Sequence, residues 1–112
     1  MNYIEFRDRY NGQLVDVDSY PKEWPYQCFD LAQLYFKEVL NVPDYVLAGC
    51  GVVKNMIEWD WKYAQLMEYF DEIPTTKMEQ GDVCIWTGSE AGHIAIEDSW
   101  DGNDVWYFSQ KI

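Results

Sequence analysis

With 112 residues, 48% of them apolar and 18% aromatic, the chain is long and apolar enough for one domain with its own core, which excludes intrinsic disorder. Its formal net charge of -12 sets 20 acidic residues against eight basic ones and counts against nucleic acid, whose phosphates need Lys and Arg. The same charge suits cation binding, or a surface that mimics a polyanion.

No apolar run reaches the length of a membrane span, so no membrane insertion is expected. The start Met1-Asn2-Tyr3-Ile4-Glu5 lacks a basic, then apolar, signal pattern, so action outside the cell would need another release route. Three cysteines leave at least one unpaired, and none has zinc spacing. Cys50 and Cys84 are expected as small buried hydrophobes, without a disulfide framework.

In chain order, Tyr3, Phe6 and Tyr10 predict a short helix closed by Asn11-Gly12, residues that tolerate the left-handed conformation. Leu14 to Pro25 reads as a loop, because Pro21 and Pro25 rule out a continuous helix. The strongest helical pattern runs from Cys28 to about Val39, with Leu31, Leu34, Tyr35 and Val39 on one stripe; Asn41, Pro43 and Asp44 end it. A second helix is predicted from Asn55 or Trp59 to Phe70, its stripe formed by Trp59, Lys62, Tyr63, Leu66 and Phe70. After Ile73-Pro74 the pattern becomes strand-like: Val83–Trp86, His93–Ile96 and Val105–Phe108, with turns at Gln80-Gly81-Asp82 and Asp101-Gly102-Asn103-Asp104. Helices followed by an antiparallel meander give an α+β class.

Two residues carry the chemistry. Cys28 sits where the strong helix begins, and His93, the only histidine, heads a strand. A helix N-terminus and a nearby imidazole both favour a thiolate, so Cys28 is expected to have a depressed pKa and to be the most reactive cysteine. His93 would take the thiol proton and later protonate a leaving amine. Gln27 could donate its amide to a tetrahedral oxyanion, beside the Cys28 N–H.

Gln-Cys-Phe-Asp-Leu-Ala-x-x-Tyr-Phe at 27–36, Gly-Asp-Val-x-Ile-Trp at 81–86 and Gly-His-Ile-Ala-Ile at 92–96 resemble, in order, the three core motifs of the CHAP family. These are cysteine- and histidine-dependent amidohydrolases/peptidases of phage endolysins, tail hydrolases and bacterial autolysins. The resemblance spans nearly the whole chain. It implies a papain-like NlpC/P60 fold, with N-terminal helices packed on an antiparallel β-sheet, and bacterial peptidoglycan as substrate. The bond cut would be the N-acetylmuramoyl-L-alanine amide or one within the stem or cross-bridge peptide. Carried over by position, Cys28 is the nucleophile, His93 the base and then acid, and Gln27 the oxyanion donor.

The family's acid and Asn after the histidine strand are replaced here by Ser109 and Lys111. A two-residue turn at Gly102-Asn103 pairs Trp100 with Val105 and sets Gln110 opposite Ala95, on the face of His93; one residue of slip puts Ser109 there instead. The orienting residue is thus open among Gln110, Ser109 and a nearby acid, Glu97 or Asp98. No cofactor is needed for the chemistry. A structural Ca²⁺ is a further expectation: Asp16-Val17-Asp18-Ser19-Tyr20 reads as an oxygen-rich loop, and in some endolysin domains of the family an Asp-x-Asp-x-aromatic loop holds calcium. The resemblance implies Asp16, Asp18, the Tyr20 carbonyl and Asp30 as its ligands, although about three extra residues separate that loop from Cys28. Ser109 and Lys111 keep open a wall-binding module of the same fold with impaired chemistry, and the net charge keeps open an acidic inhibitor or DNA mimic. An anionic protein gains no electrostatic help at an anionic wall. A separate wall-binding domain or subunit, or phage tail proteins, is therefore the expected company of a protein made in the host cytoplasm and acting at the wall.

Overall fold

Asn2 caps the first helix, α1 (Tyr3–Tyr10): its side chain accepts the Glu5 N–H at 2.9 Å, and the Glu5 carboxylate accepts the Asn2 N–H at 3.4 Å. The chain leaves α1 through Gly12 at φ 81°. In this computed structural model residues 1–13 and 28–109 are described. The expected loop from Leu14 to Pro25 lies outside them.

The next helix, α2 (Cys28–Tyr35), continues as a wider π-helical turn over Phe36–Leu40. Asn41 closes it at φ 55°, its N–H bonded to the Phe36 carbonyl. Leu31, Ala32, Tyr35 and Phe36 are buried, while Leu34 and Val39 are only partly so. Phe6 of α1 is fully buried and meets the Tyr35 ring at 5.1 Å between centroids. This aromatic contact fixes α1 on α2.

The single helix expected up to Phe70 is two: α3 (Asn55–Glu58) and α4 (Asp60–Leu66). Trp59 between them is extended, at φ −86° and ψ 117°. The break lets Met56 and Leu66 both reach the core and turns Trp59 and Trp61 outward, their rings stacked at 5.9 Å. Lys62 is buried. Its ammonium donates to the carbonyls of Tyr45 and Val46 at 2.8 and 3.2 Å and to the Gln65 amide oxygen at 2.9 Å. Desolvation lowers its pKa.

Three antiparallel strands follow in the order β1 (Val83–Trp86), β2 (His93–Trp100) and β3 (Val105–Phe108). Asp101 shapes the β2–β3 turn by accepting the N–H groups of Asn103 and Asp104 at 2.9 and 2.8 Å. Trp100 pairs with Val105, as the turn predicts. A bulge between Glu97 and Ser99 then shifts the register, so that Glu97 faces Tyr107 and Ile96 faces Phe108. The bulged residue, Asp98, is held by groups distant in sequence. The Asp98 carboxylate accepts the Tyr3 hydroxyl at 2.7 Å and the Arg7 guanidinium at 3.0 Å, and Gln80 bonds the Asp98 carbonyl at 2.7 Å. Ile94 and Ile96 project from β2 into the core shared with α2. The result is a small α+β domain, with helices first and a three-stranded antiparallel sheet behind them. Among the described residues no helix is long and apolar enough to cross a membrane.

Candidate active site

Cys28 opens α2, at the helix end whose N–H groups lack intrahelical partners. Its half-buried thiol lies near the backbone N–H groups of Ile94, Phe29 and Cys28 itself, which draw its pKa down against burial. The Glu97 N–H bonds the Asp82 carbonyl at 2.9 Å, so odd-numbered β2 residues turn their amides toward β1 and Ile94 turns its amide away. Cys28 therefore meets β2 on the side away from β1, next to the residue that follows His93.

His93 pairs with Trp86 across the β1–β2 ladder, with the two ring centroids 5.6 Å apart. Trp86 in turn meets Tyr107 edge-on at 4.9 Å. Gly92, immediately before the histidine, holds φ 75°, and a Cβ there would lie 2.7 Å from the Lys54 N and 2.8 Å from the Trp86 O. No side chain fits that gap. The Lys54 N–H also bonds the Ala91 carbonyl at 3.2 Å, so the chain before α3 clamps the turn that carries His93.

No protein-family model, curated protein or solved structure matches the chain.

The electrostatics correct one expectation. Burial pushes the Cys28 thiol above its ordinary pKa, and Asp30 adds to the rise; the backbone N–H groups of Ile94, Phe29 and Cys28 pull it back only in part. The resting group is a neutral thiol, because one short helix end does not offset desolvation. Cys84 is pushed further, to about 11, by burial and then by the Glu97 and Asp82 carboxylates. Cys50 is fully buried, with its thiol donating to the Leu47 carbonyl at 3.2 Å.

Of the residues considered for orienting His93, Asp98 is taken up by Tyr3 and Arg7, and its pKa is lowered by the Tyr3 hydrogen bond first. The paired β2–β3 register ends at Ile96 and Phe108, and Ser109, the next residue, is exposed. Gln110 and Gln27 lie outside the described residues, as do the proposed calcium ligands Asp16, Asp18 and Tyr20. Asp30 is fully buried in the first turn of α2. Among the described residues no group of three or more His, Cys, Asp or Glu side chains could hold a metal ion, and no step below runs through one. Tyr107, which no sequence motif marks, joins the site through its edge-on contact with Trp86.

Glu97 is 3% exposed, and its Oε2 has no hydrogen-bond partner among the described residues. Burial, then Asp82 and Glu79, raises its pKa, so its protonated form is favoured by folding. That contribution is present below the unfolded pKa and lost as pH rises through the folded one. Glu97→Gln is therefore expected to raise stability at neutral pH by about 1 kcal/mol. In thermal melts the gain should shrink as the pH falls through the carboxylate range. A variant less stable than wild type at neutral pH would show Glu97 to be a net stabiliser.

Proposed function

We propose that the protein is a peptidoglycan hydrolase, an N-acetylmuramoyl-L-alanine amidase or peptidoglycan endopeptidase, working through a Cys28–His93 thiol mechanism. The observation that carries the reading is the convergence of two distant motifs: the Cys28 thiol at the start of α2 lies near enough to the backbone N–H of Ile94, the residue after His93, for that N–H to draw its pKa down. The three motif resemblances supply the substrate class. The His93 imidazole removes the thiol proton as sulfur attacks the amide carbonyl, forming a C–S bond. The C–N bond then breaks and the imidazolium gives its proton to the leaving amine, after which water hydrolyses the thioester. Because the resting Cys28 is neutral, proton transfer to His93 accompanies attack rather than preceding it. The Trp86 ring lies 5.6 Å from the imidazole, tilted 36° to it, and borders the site on that side. The protein acts at the wall after synthesis in the host cytoplasm, together with a wall-binding domain, a partner subunit or tail proteins.

Mass spectrometry of purified sacculi tests this: wild type should release new amine or carboxyl termini and Cys28→Ala none. Sacculi left intact by wild type would exclude the free protein as a hydrolase. Burial of the Cys28 thiol and the serine at 109 favour one second reading, a wall-binding module of the same fold without turnover. Sedimentation of wild type with sacculi, without new termini, is its signature.

A further inference from the structure

We propose that the free edge of β1 takes an extended basic peptide segment of a partner protein as an added strand. Among the described residues β1 is an edge strand, and its even-numbered residues bond β2, so Val83 and Ile85 turn their N–H and C=O groups outward. Among the described residues neither makes a backbone hydrogen bond outside the sheet. The strand reads Val-Cys-Ile-Trp, without the charge or proline that usually blunts a sheet edge.

A cleft of about 410 Å³ opens along this edge. Leu66, Met67 and Phe70 give it an apolar wall. Asp71, Glu72 and Asp82 supply its charge, and no Lys, Arg or His among the described residues lines it. Unpaired backbone groups, an apolar wall and carboxylates of one sign match an extended segment that alternates apolar and basic residues. The described strand, at normal rise, is about 13 Å long and accommodates four or five such residues. A second copy of the chain does not fit: it would bring acid against acid between molecules that each carry a net charge of -12. The inference does not rest on the hydrolase reading.

The test uses isotope-labelled full chain and three hexapeptides: acetylated Lys-Val-Lys-Val-Lys-Val, its Glu-Val counterpart, and the Lys-Val peptide N-methylated at alternate residues. The Lys-Val peptide should shift the Val83 and Ile85 amide resonances saturably, and its affinity should fall with added salt. Asp71→Asn combined with Glu72→Gln, both at exposed positions, should weaken binding about fivefold or more while the spectrum stays native. The Glu-Val and N-methylated peptides should not bind. No shift at Val83 and Ile85, equal binding of the Glu-Val peptide, or binding unaffected by N-methylation would each overturn the proposal. So would a concentration-dependent dimer that perturbs the same two amides without peptide, since it would assign the edge to a second copy.

Discussion

In the folded protein, iodoacetamide is expected to alkylate Cys28 at least about tenfold faster than Cys84 or Cys50 near neutral pH, a ratio worth one pKa unit of thiolate. Cys28 has three backbone N–H groups drawing its pKa down against burial, whereas Cys84 faces two carboxylates that add to burial. Cys50 is 1% exposed and has no route to reagent without opening. His93→Ala should lose cleavage, because no base remains to take the thiol proton during attack, while the Cys28 labelling midpoint stays close to wild type. Cys28→Ser should lower any amide cleavage by about 10³-fold or more while the melting curve stays close to wild type. Peptide-resolved labelling across pH reads the thiols, and release of new termini from sacculi reads cleavage. Equal labelling rates at the three cysteines, or cleavage retained by His93→Ala, would dismiss the dyad.

Gly92→Ala is expected to be among the most damaging single-methyl changes in the chain. Alanine at φ 75° costs about 1–2 kcal/mol in backbone strain alone. The new Cβ also sits under 3 Å from two backbone atoms, the Lys54 N and the Trp86 O, neither of which yields like a flexible side-chain tip. Overpacking adds about 1–3 kcal/mol. The turn must then shift, and His93, the next residue, moves with it. The expected result is a melting temperature lower by several degrees, with loss of the Trp86–His93 ring contact in the NMR spectrum. Gly88→Ala, where a Cβ meets nothing within 4 Å, is the control and should be near neutral. Equal effects of the two would show that the clamp at Gly92 is absent.

Sequence periodicity reached the elements whose signals are local. Tyr3, Phe6 and Tyr10 defined α1, and the Asp101–Asp104 turn defined the last hairpin, because neighbouring residues settle both. The break at Trp59 was not legible, since aromatic residues satisfy a continuous helical stripe as well as an outward-facing stack. Nor was the bulge at Asp98, which is held by Tyr3 and Arg7, residues 95 and 91 positions away. The fold class was therefore readable from local pattern, while the register past the bulge was not. The Cys28 thiol shows the same limit: helix position is local, but burial is a property of the whole packed chain.

The enclosure of Lys62 has a kinetic consequence. Its ammonium is shielded and held by three oxygen acceptors, none of them a carboxylate. An acylating reagent that reacts with the other lysines at their solvent rates reaches this amine only when α4 parts from the Tyr45–Val46 turn. At low reagent the rate of Lys62 modification therefore measures the equilibrium constant of that opening, and at saturating reagent the opening rate itself. One native side chain thus serves as a clock for the breathing of the helical half, independent of any substrate.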